Sequence, residues 1–319
     1  MPQYNMDLGK TSVPDRLLAR LDQWDKIGGT QTISKGAQPQ WISPAAPLFL
    51  QSQQQPRQFR GNLEQEKEYM NQLEKEFSSG IVKEMDNAQV YNPTFLVPYQ
   101  DGRFRKILYC RKINLLTQPV HFKMDGPEEL RQNLQESDYA KILDIKDAFH
   151  HVHVSPNLQP FLEFQFKNKS YTYLGLPFGW RRSPLLLSKT LAIAIRAIRE
   201  KWKVKIQNYM DEIILIHQSK QQLKPMILEI ISFLTNLGQR LSPTKCVLTP
   251  KKCFQYLGWS FQTQSMEVIM TQTRRRSMKY KLKDCIQMTN ESQIVTIRSF
   301  ASLIGEINYL RFQFPQVSL

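Results

Sequence analysis

Residues 140–149 read AKILDIKDAF, and residues 207–217 read QNYMDEIILIH. In each, acid interrupts an apolar run: Asp144 in the first, Asp211 and Glu212 in the second. The flanks are short and rich in Ile, Leu and Tyr, which predicts buried strands. The bland reading of the second pair is a hairpin turn with solvated acids. Two-residue hairpins favour Asn-Gly or Asp-Gly, because both central residues need positive φ, and Glu is a poor choice there. A carboxylate at a buried strand end is costly unless it is compensated, and metal coordination is one of the few things that does so. On residue types alone, each acid reads equally as a turn residue or as part of a site.

Around these runs, strands and helices interleave irregularly. TFLVPY and FRKILYC flank Gln100-Asp101-Gly102 and predict a hairpin. LEFQF and YTYL, separated by Lys167 to Ser170, predict a second, and FQYLGWSF with MEVIM a third. YAKILDIKDAFHHVHV starts as a buried strand and ends in alternation. Met70, Leu73 and Phe77 stand at helical spacing before a stop at Gly80, and Pro127 suits a first helical turn. Ser183-Pro184 opens a long apolar helix to about Trp202, with Ser183 as its cap. Further helices run from about Gln221 to Gly238, Thr273 to Ile286 and Thr296 to Phe312. No internal repeat is present. The pattern predicts an α+β architecture with an antiparallel sheet. Residues 1 to about 60 are rich in Gln, Ser and Pro, with one helix around Arg16 to Trp24, and read as an extension.

The 319 residues carry 43 Lys plus Arg against 28 Asp plus Glu, a net charge of +15. Hydrophobic residues make up 41%, with 17 Phe, 12 Tyr and 5 Trp, which is too much apolar surface for a disordered polymer. No run approaches the roughly 18 apolar residues of a membrane span, and the first residues lack the pattern of a signal peptide, so an intracellular, non-secreted protein is expected. Four cysteines without a CxxC pair suggest neither a disulfide framework nor a zinc ribbon, and read as reduced core thiols. The charge points to a polyanion, either nucleic acid or an acidic membrane. His150, His151 and His153 lack the extra ligands that zinc needs, and read as surface or nucleic-acid-facing.

Six ordered blocks resemble the reverse transcriptases of retroelements, over roughly Leu63 to Leu319. LDIKDAF looks like the first palm motif, LGLPFGWRRSP the second, YMDE the Tyr-Met-Asp-Asp box of the third, and LGQRLSPTKC the fourth. YLGW at Tyr256 to Trp259 is similar to the primer grip, and FLVPYQDGRFRKILYCRKIN to the fingers hairpin. The wording of HFKMDGPEELRQNLQESDYAKILDIKDAF and FASLIGEINYLRFQFPQ is most similar to DIRS-type elements, which pair such a polymerase with a tyrosine recombinase. Neither a recombinase nor an RNase H domain is expected within these 319 residues.

The resemblance implies a right-hand polymerase fold: an extension over 1–62, fingers and an antiparallel-sheet palm over 63–268, and a partial helical thumb from 269. It implies RNA-directed DNA synthesis from dNTPs on a primed RNA or DNA template, with no membrane partner. Two Mg²⁺ ions, or Mn²⁺ in substitution, would be held by Asp144, Asp211, Glu212 and the Ile145 carbonyl, since hard cations take oxygen ligands. Lys245 would protonate the leaving pyrophosphate. Arg105, Asp147, Phe149, Phe178 and Gly179 would join Ile145 in binding the nucleotide, with Phe149 excluding a 2′-hydroxyl. Leu257, Gly258 and Trp259 would grip the primer, and Arg274, Arg275 and Arg276 the duplex.

Two departures stand out. Glu212 replaces the family's Asp and adds a methylene, which predicts weaker activity or a preference for Mn²⁺. Tyr99-Gln100 stands where lysines are usual, leaving Arg103, Arg105 and Lys106 for phosphate contacts. An alternative reading is a weakened relative that retains the nucleic-acid cleft. Residues 241–283 hold nine Lys or Arg against one acid, Glu267, where the family holds its duplex.

Overall fold

The computed structural model describes residues 11–53, 55–98, 102–242, 249–291 and 293–312. Three short helices come first, α1 (Leu21–Asp25), α2 (Thr30–Lys35) and α3 (Ala46–Ser52), followed by the long α4 (Leu63–Ser78). Helix α4 starts on a reciprocal cap: the Asn62 side chain accepts the Gln65 N–H at 2.9 Å, and the Gln65 side chain accepts the Asn62 N–H at 3.1 Å. Strands β1 (Val82–Met85), β2 (Thr94–Pro98) and β3 (Phe104–Leu108) follow, then α5 (Arg111–Leu116), α6 (Pro127–Asn133) and β4 (Tyr139–Asp144). Next come β5 (Glu163–Phe166), β6 (Lys169–Tyr173), α7 (Ser183–Trp202), β7 (Lys205–Tyr209), β8 (Glu212–His217) and α8 (Lys220–Asn236). Strands β9 (Cys253–Tyr256), β10 (Trp259–Gln262) and β11 (Glu267–Met270) precede the last two helices, α9 (Gln272–Asn290) and α10 (Ile297–Asn308).

All strand pairs are antiparallel, in the orders β1-β6-β5, β2-β3, β4-β8-β7 and β11-β10-β9. Helices and antiparallel sheets together make the α+β architecture that the pattern predicts. The β4-β8-β7 sheet buries both faces. Leu143, Ile213, Leu215 and Ile206 pack with α7 and α8, while Ala140, Ile214 and Ile216 pack with Tyr256, Trp259 and Phe261. Because side chains alternate along a strand, Asp144 and Glu212 belong with this second face, away from α7 and α8. A third core, around Tyr69, Phe164, Tyr173 and Trp180, fills the region of α4 and the β1-β6-β5 sheet.

Within the Gln- and Pro-rich stretch, residues 11–53 contribute to two of these cores. Trp24 and Ala37 have no exposed surface, and Leu17 and Ile33 are buried beside α7 and α8. Ala37 bridges Val154, and Trp41 bridges Thr117. Burying a side chain the size of Trp24 contributes at least about 2 kcal/mol, so this segment is held by packing.

Four local readings are corrected. FQYLGWSF is not one strand, since Leu257 and Gly258 turn the chain between β9 and β10. Ser183 lies inside α7, whose cap is Arg182, and its hydroxyl donates to the Pro177 carbonyl at 2.9 Å. The alternation after Asp144 is a 3₁₀ turn over Ala148–His151, which buries both His150 and His151 instead of exposing them. Cys253 is exposed, so only Cys110 of the described cysteines is a core thiol. Among the described residues, no helix is long and apolar enough to cross a membrane.

Candidate active site

Strand β4 ends at Asp144, directly opposite Glu212, the first residue of β8. Cross-strand partners present side chains on the same face, so the ladder sets these two acids side by side. Tyr209 also pairs with Glu212, which makes Met210 and Asp211 the two central residues of the β7–β8 turn. The turn is therefore one residue earlier than a turn centred on Asp211-Glu212. Met210 takes φ 52 and Asp211 does not take a positive φ, the pattern of a type II′ turn that normally places Gly first. A long side chain in that conformation is strained, and such strain concentrates at functional sites.

The Ile145 N–H donates to the Asp211 carbonyl at 2.9 Å, which ties the end of β4 to the turn. Asp144 accepts from Ser242 N–H at 2.9 Å and Lys146 N–H donates to Arg240 at 2.7 Å, so the Ile145 carbonyl takes part in none of these three bonds. Among the described residues, no three His, Cys, Asp or Glu side chains converge closely enough to hold a metal ion. Asp144, Asp211 and Glu212 thus do not form a closed cage. An all-oxygen, open arrangement suits Mg²⁺, which is ordinarily held by one or two carboxylates and completed by substrate phosphates and water.

Phe178 joins the elements on the other side. The Arg105 guanidinium lies 4.4 Å from its ring centroid, and the Phe149 ring stands edge-on at 4.9 Å. Its carbonyl accepts the Leu108 N–H of β3 at 3.0 Å. Gly179 permits this approach, having φ 114 and lying where a Cβ would sit 1.9 Å from the Leu108 carbonyl oxygen. Arg105, Phe149, Phe178 and Gly179, predicted from three separate blocks, thus meet at one place.

A cavity of about 330 Å³ opens beside them, lined by Arg105, Lys106, Lys146, Asp147, His150 and Arg240 among others. Asp147 has a left-handed backbone (φ 56, ψ 30), and its carboxylate pairs with Arg240 at 3.1 Å. Lys106 is not available for phosphate. Its ammonium is fully buried, ion-paired with Glu76, and 4.4 Å from the Phe164 ring centroid. Burial lowers its pKa, against the opposing pull of Glu76. Burial likewise lowers His150. His151 falls to about 3 through burial and then the charges of Arg16 and Arg240. Its neutral Nε2 accepts the Arg240 N–H at 3.3 Å. His153 binds the Ile33 carbonyl through Nε2 at 3.0 Å, so none of the three histidines is a free surface group.

The YLGW block forms the β9–β10 turn, with Leu257 at φ 50 and Gly258 at φ 80, the two positive values of a type I′ turn. Trp259 stacks on Tyr309 at 5.3 Å, and Arg274 lies 3.5 Å above that ring. The Tyr309 hydroxyl donates to the Leu257 carbonyl. Arg274 therefore faces this turn, while Arg275 and Arg276 are exposed. Consecutive helical residues point about 100° apart, so the three do not share one face. Tyr256 is buried close to Glu212; burial first, and then that charge, pushes its hydroxyl pKa upward. Lys245, Tyr99 and Gln100 lie outside the described residues.

Lys146, Glu76 and Arg240 are cavity residues that sequence reasoning missed. Consecutive Arg105 and Lys106 on a strand did carry a signal, because period two forces one of them inward.

The fold is α+β, its paired strands end in acids, and an arginine and aromatic cluster packs against the turn that follows Asp144. Residues 97–261 match the family model "Reverse transcriptase (RNA-dependent DNA polymerase)", and the chain belongs to that family. It is 26% identical over 249 residues to the Gag-Pro-Pol polyprotein of squirrel monkey retrovirus, which covers 75% of this chain and 12% of that protein. It is 23% identical to the Retrovirus-related Pol polyprotein from transposon 297 of Drosophila melanogaster, over 75% of this chain and 22% of that protein. The chain thus spans less than a quarter of these curated relatives. Among solved structures it resembles the foamy viral protease-reverse transcriptase in complex with double-stranded DNA, with a TM-score of 0.66 at 17% identity, over 98% of this chain and 54% of that one. The same viral enzyme in complex with an RNA/DNA hybrid gives a TM-score of 0.64 at 16% identity, over 94% of this chain and 40% of that one.

Proposed function

We propose that this chain is the RNA-directed DNA polymerase part of a retroelement protein, extending a primer with dNTPs on an RNA or DNA template. The observation that carries the reading is the ladder that sets Asp144 opposite Glu212, with Asp211 in the adjoining turn. Asp144 and Asp211 hold divalent metal in this reading, assisted by the Ile145 carbonyl. A metal held there would supply Lewis-acid activation of the primer 3′-hydroxyl and neutralise charge at the leaving pyrophosphate. Arg105 binds the triphosphate, oriented by its contact with Phe178. Phe149 lies under the sugar and excludes the 2′-hydroxyl. The YLGW turn positions the primer end, and the exposed Arg275 and Arg276 track the duplex. Residues 63–268 serve as fingers and palm and 269–319 as the start of a thumb, preceded by the Gln- and Pro-rich stretch to residue 62. The wording of the 121–149 and 300–316 blocks supports a DIRS-type origin.

Glu212 sets the metal preference. Its extra methylene shifts the carboxylate by about 1 Å, in a kind of site that tolerates about 0.5 Å. Nucleotide incorporation titrated with Mg²⁺ and with Mn²⁺ tests this. The wild type is expected to favour Mn²⁺ and Glu212→Asp to favour Mg²⁺; identical metal profiles for the two proteins would remove Glu212 from the metal site.

A further inference from the structure

We infer that Arg240 is a positioning residue that fixes the turn from Ile145 to His151 for the incoming nucleotide; this rests on the nucleotide-binding reading of that turn. Arg240 grips the turn at three points. Its guanidinium pairs with Asp147 at 3.1 Å, its carbonyl accepts the Lys146 N–H at 2.7 Å, and its N–H donates to His151 Nε2 at 3.3 Å. The next two residues continue the contact, with Leu241 bridging Ile145 and Ser242 N–H bonded to the Asp144 carbonyl. Residues 240–242 therefore form a strip laid antiparallel along 144–146.

The strip is braced from behind by the N-terminal segment, outside the residues that the family model matches. Arg16 Nε donates to the Gly238 carbonyl at 3.1 Å, and Trp24 Nε1 to the Leu237 carbonyl at 2.9 Å. Gly238 has φ 89 and lies where a Cβ would come within 2.4 Å of the Arg16 carbonyl oxygen, so the two segments are in backbone contact. Continuous bonding thus runs from residues 16–24, through 237–242, to the turn that follows Asp144.

Stability does not account for the ion pair. The Arg240 and Asp147 side chains are 31% and 30% exposed, and pairs that solvent reaches contribute little to folding. Position does account for it. Asp147 holds a left-handed backbone that residues other than Gly, Asn and Asp seldom adopt, and the pair fixes its side chain on the wall of the cavity. Arg105 reaches the same cavity from β3, so the two arginines have separate parts, one towards the nucleotide and one on the turn that receives it.

Arg240→Met keeps an apolar stem and removes the guanidinium, and Arg240→Lys restores the charge. Hydrogen exchange of the full chain is expected to quicken about tenfold over Lys146 to Val152 in Arg240→Met, with β4 and β8 unchanged and Arg240→Lys close to wild type. In single-nucleotide extension, KM for dNTP should rise about tenfold with kcat within about twofold, again recovered by Lys. Unchanged exchange over 146–152, faster exchange throughout β4 and β8, or an unmoved KM would each overturn the assignment. If the wild type incorporates no nucleotide, the polymerase reading fails by itself, and the exchange measurement alone decides whether Arg240 holds the turn.

Discussion

Arg105 and Lys106 are neighbours in sequence, yet β3 sends one toward the candidate nucleotide site and the other into the core beneath it. Period two makes such a split necessary, while which residue turns inward depends on Glu76 and the rings of Tyr69, Phe164 and Tyr173, contributed by distant elements. His151 is a similar case: three histidines close in sequence read as a polar surface, and only the tertiary packing of Arg16 and Arg240 makes one of them a buried acceptor. Its folded pKa of about 3 lies below the unfolded value of 6.5, so the unfolded chain takes up a proton that the folded one refuses. Stability is then fully present above pH 6.5 and is lost as pH falls through that value toward 3. Between pH 7.5 and 5, urea unfolding should show the wild type losing about 2 kcal/mol more than His151→Gln. Parallel pH profiles would mean that His151 titrates normally in the folded state. At Phe149, packed edge-on against Phe178, Phe149→Val should raise rNTP relative to dNTP incorporation about tenfold or more. Unaltered sugar discrimination would reduce Phe149 to a packing residue.

At the scale of elements, most of the secondary structure was legible, because hydrophobic period and turn chemistry agree. The β2–β3 and β5–β6 hairpins and the helices α4, α6 and α8 follow from pattern alone. Turns whose residues defy propensity were not legible. Met210 and Leu257 both hold positive φ without being Gly, so the first sets a turn one residue before Asp211-Glu212 and the second breaks FQYLGWSF, which its pattern alone does not show. The site's elements were predicted block by block, but their meeting point depends on close approaches such as Gly179 against β3. Gly179→Ala should cost about 3 kcal/mol in denaturant unfolding, since a Cβ cannot occupy the space taken by the Leu108 carbonyl and the backbone angle also disfavours it. A loss below about 1 kcal/mol would mean that the loop moves freely off β3.

For the whole molecule, the net charge of +15 has a partial address. Lys252 lies over the Tyr139 ring at 5.0 Å, Lys281 pairs with Glu306, and Arg274 packs on Tyr309, leaving Arg275, Arg276, Lys279 and Lys283 as an exposed basic set on α9. Neutralising Arg275 and Arg276 together should reduce the salt slope of primer–template binding by about 2, one for each phosphate that is no longer neutralised. Arg274→Gln should leave that slope unchanged and lower thermal stability. Equal slopes for all variants would detach α9 from the duplex. The N-terminal segment was the least legible part at this scale: its composition suggested an appendage, while Leu17, Trp24 and Ile33 complete the core behind the site. Low hydrophobic density in a segment does not reveal that a few of its large side chains, Leu17, Trp24 and Ile33, are buried in one core with α7 and α8. The central claim, that the paired strands ending in Asp144 and Glu212 form a polymerase site, is tested most directly by primer extension on an RNA template. The account predicts that the wild type incorporates dNTPs in Mg²⁺ or Mn²⁺, and that Asp144→Ala falls by about a thousandfold or more. No incorporation by the wild type with either metal, or equal incorporation by Asp144→Ala, would contradict it.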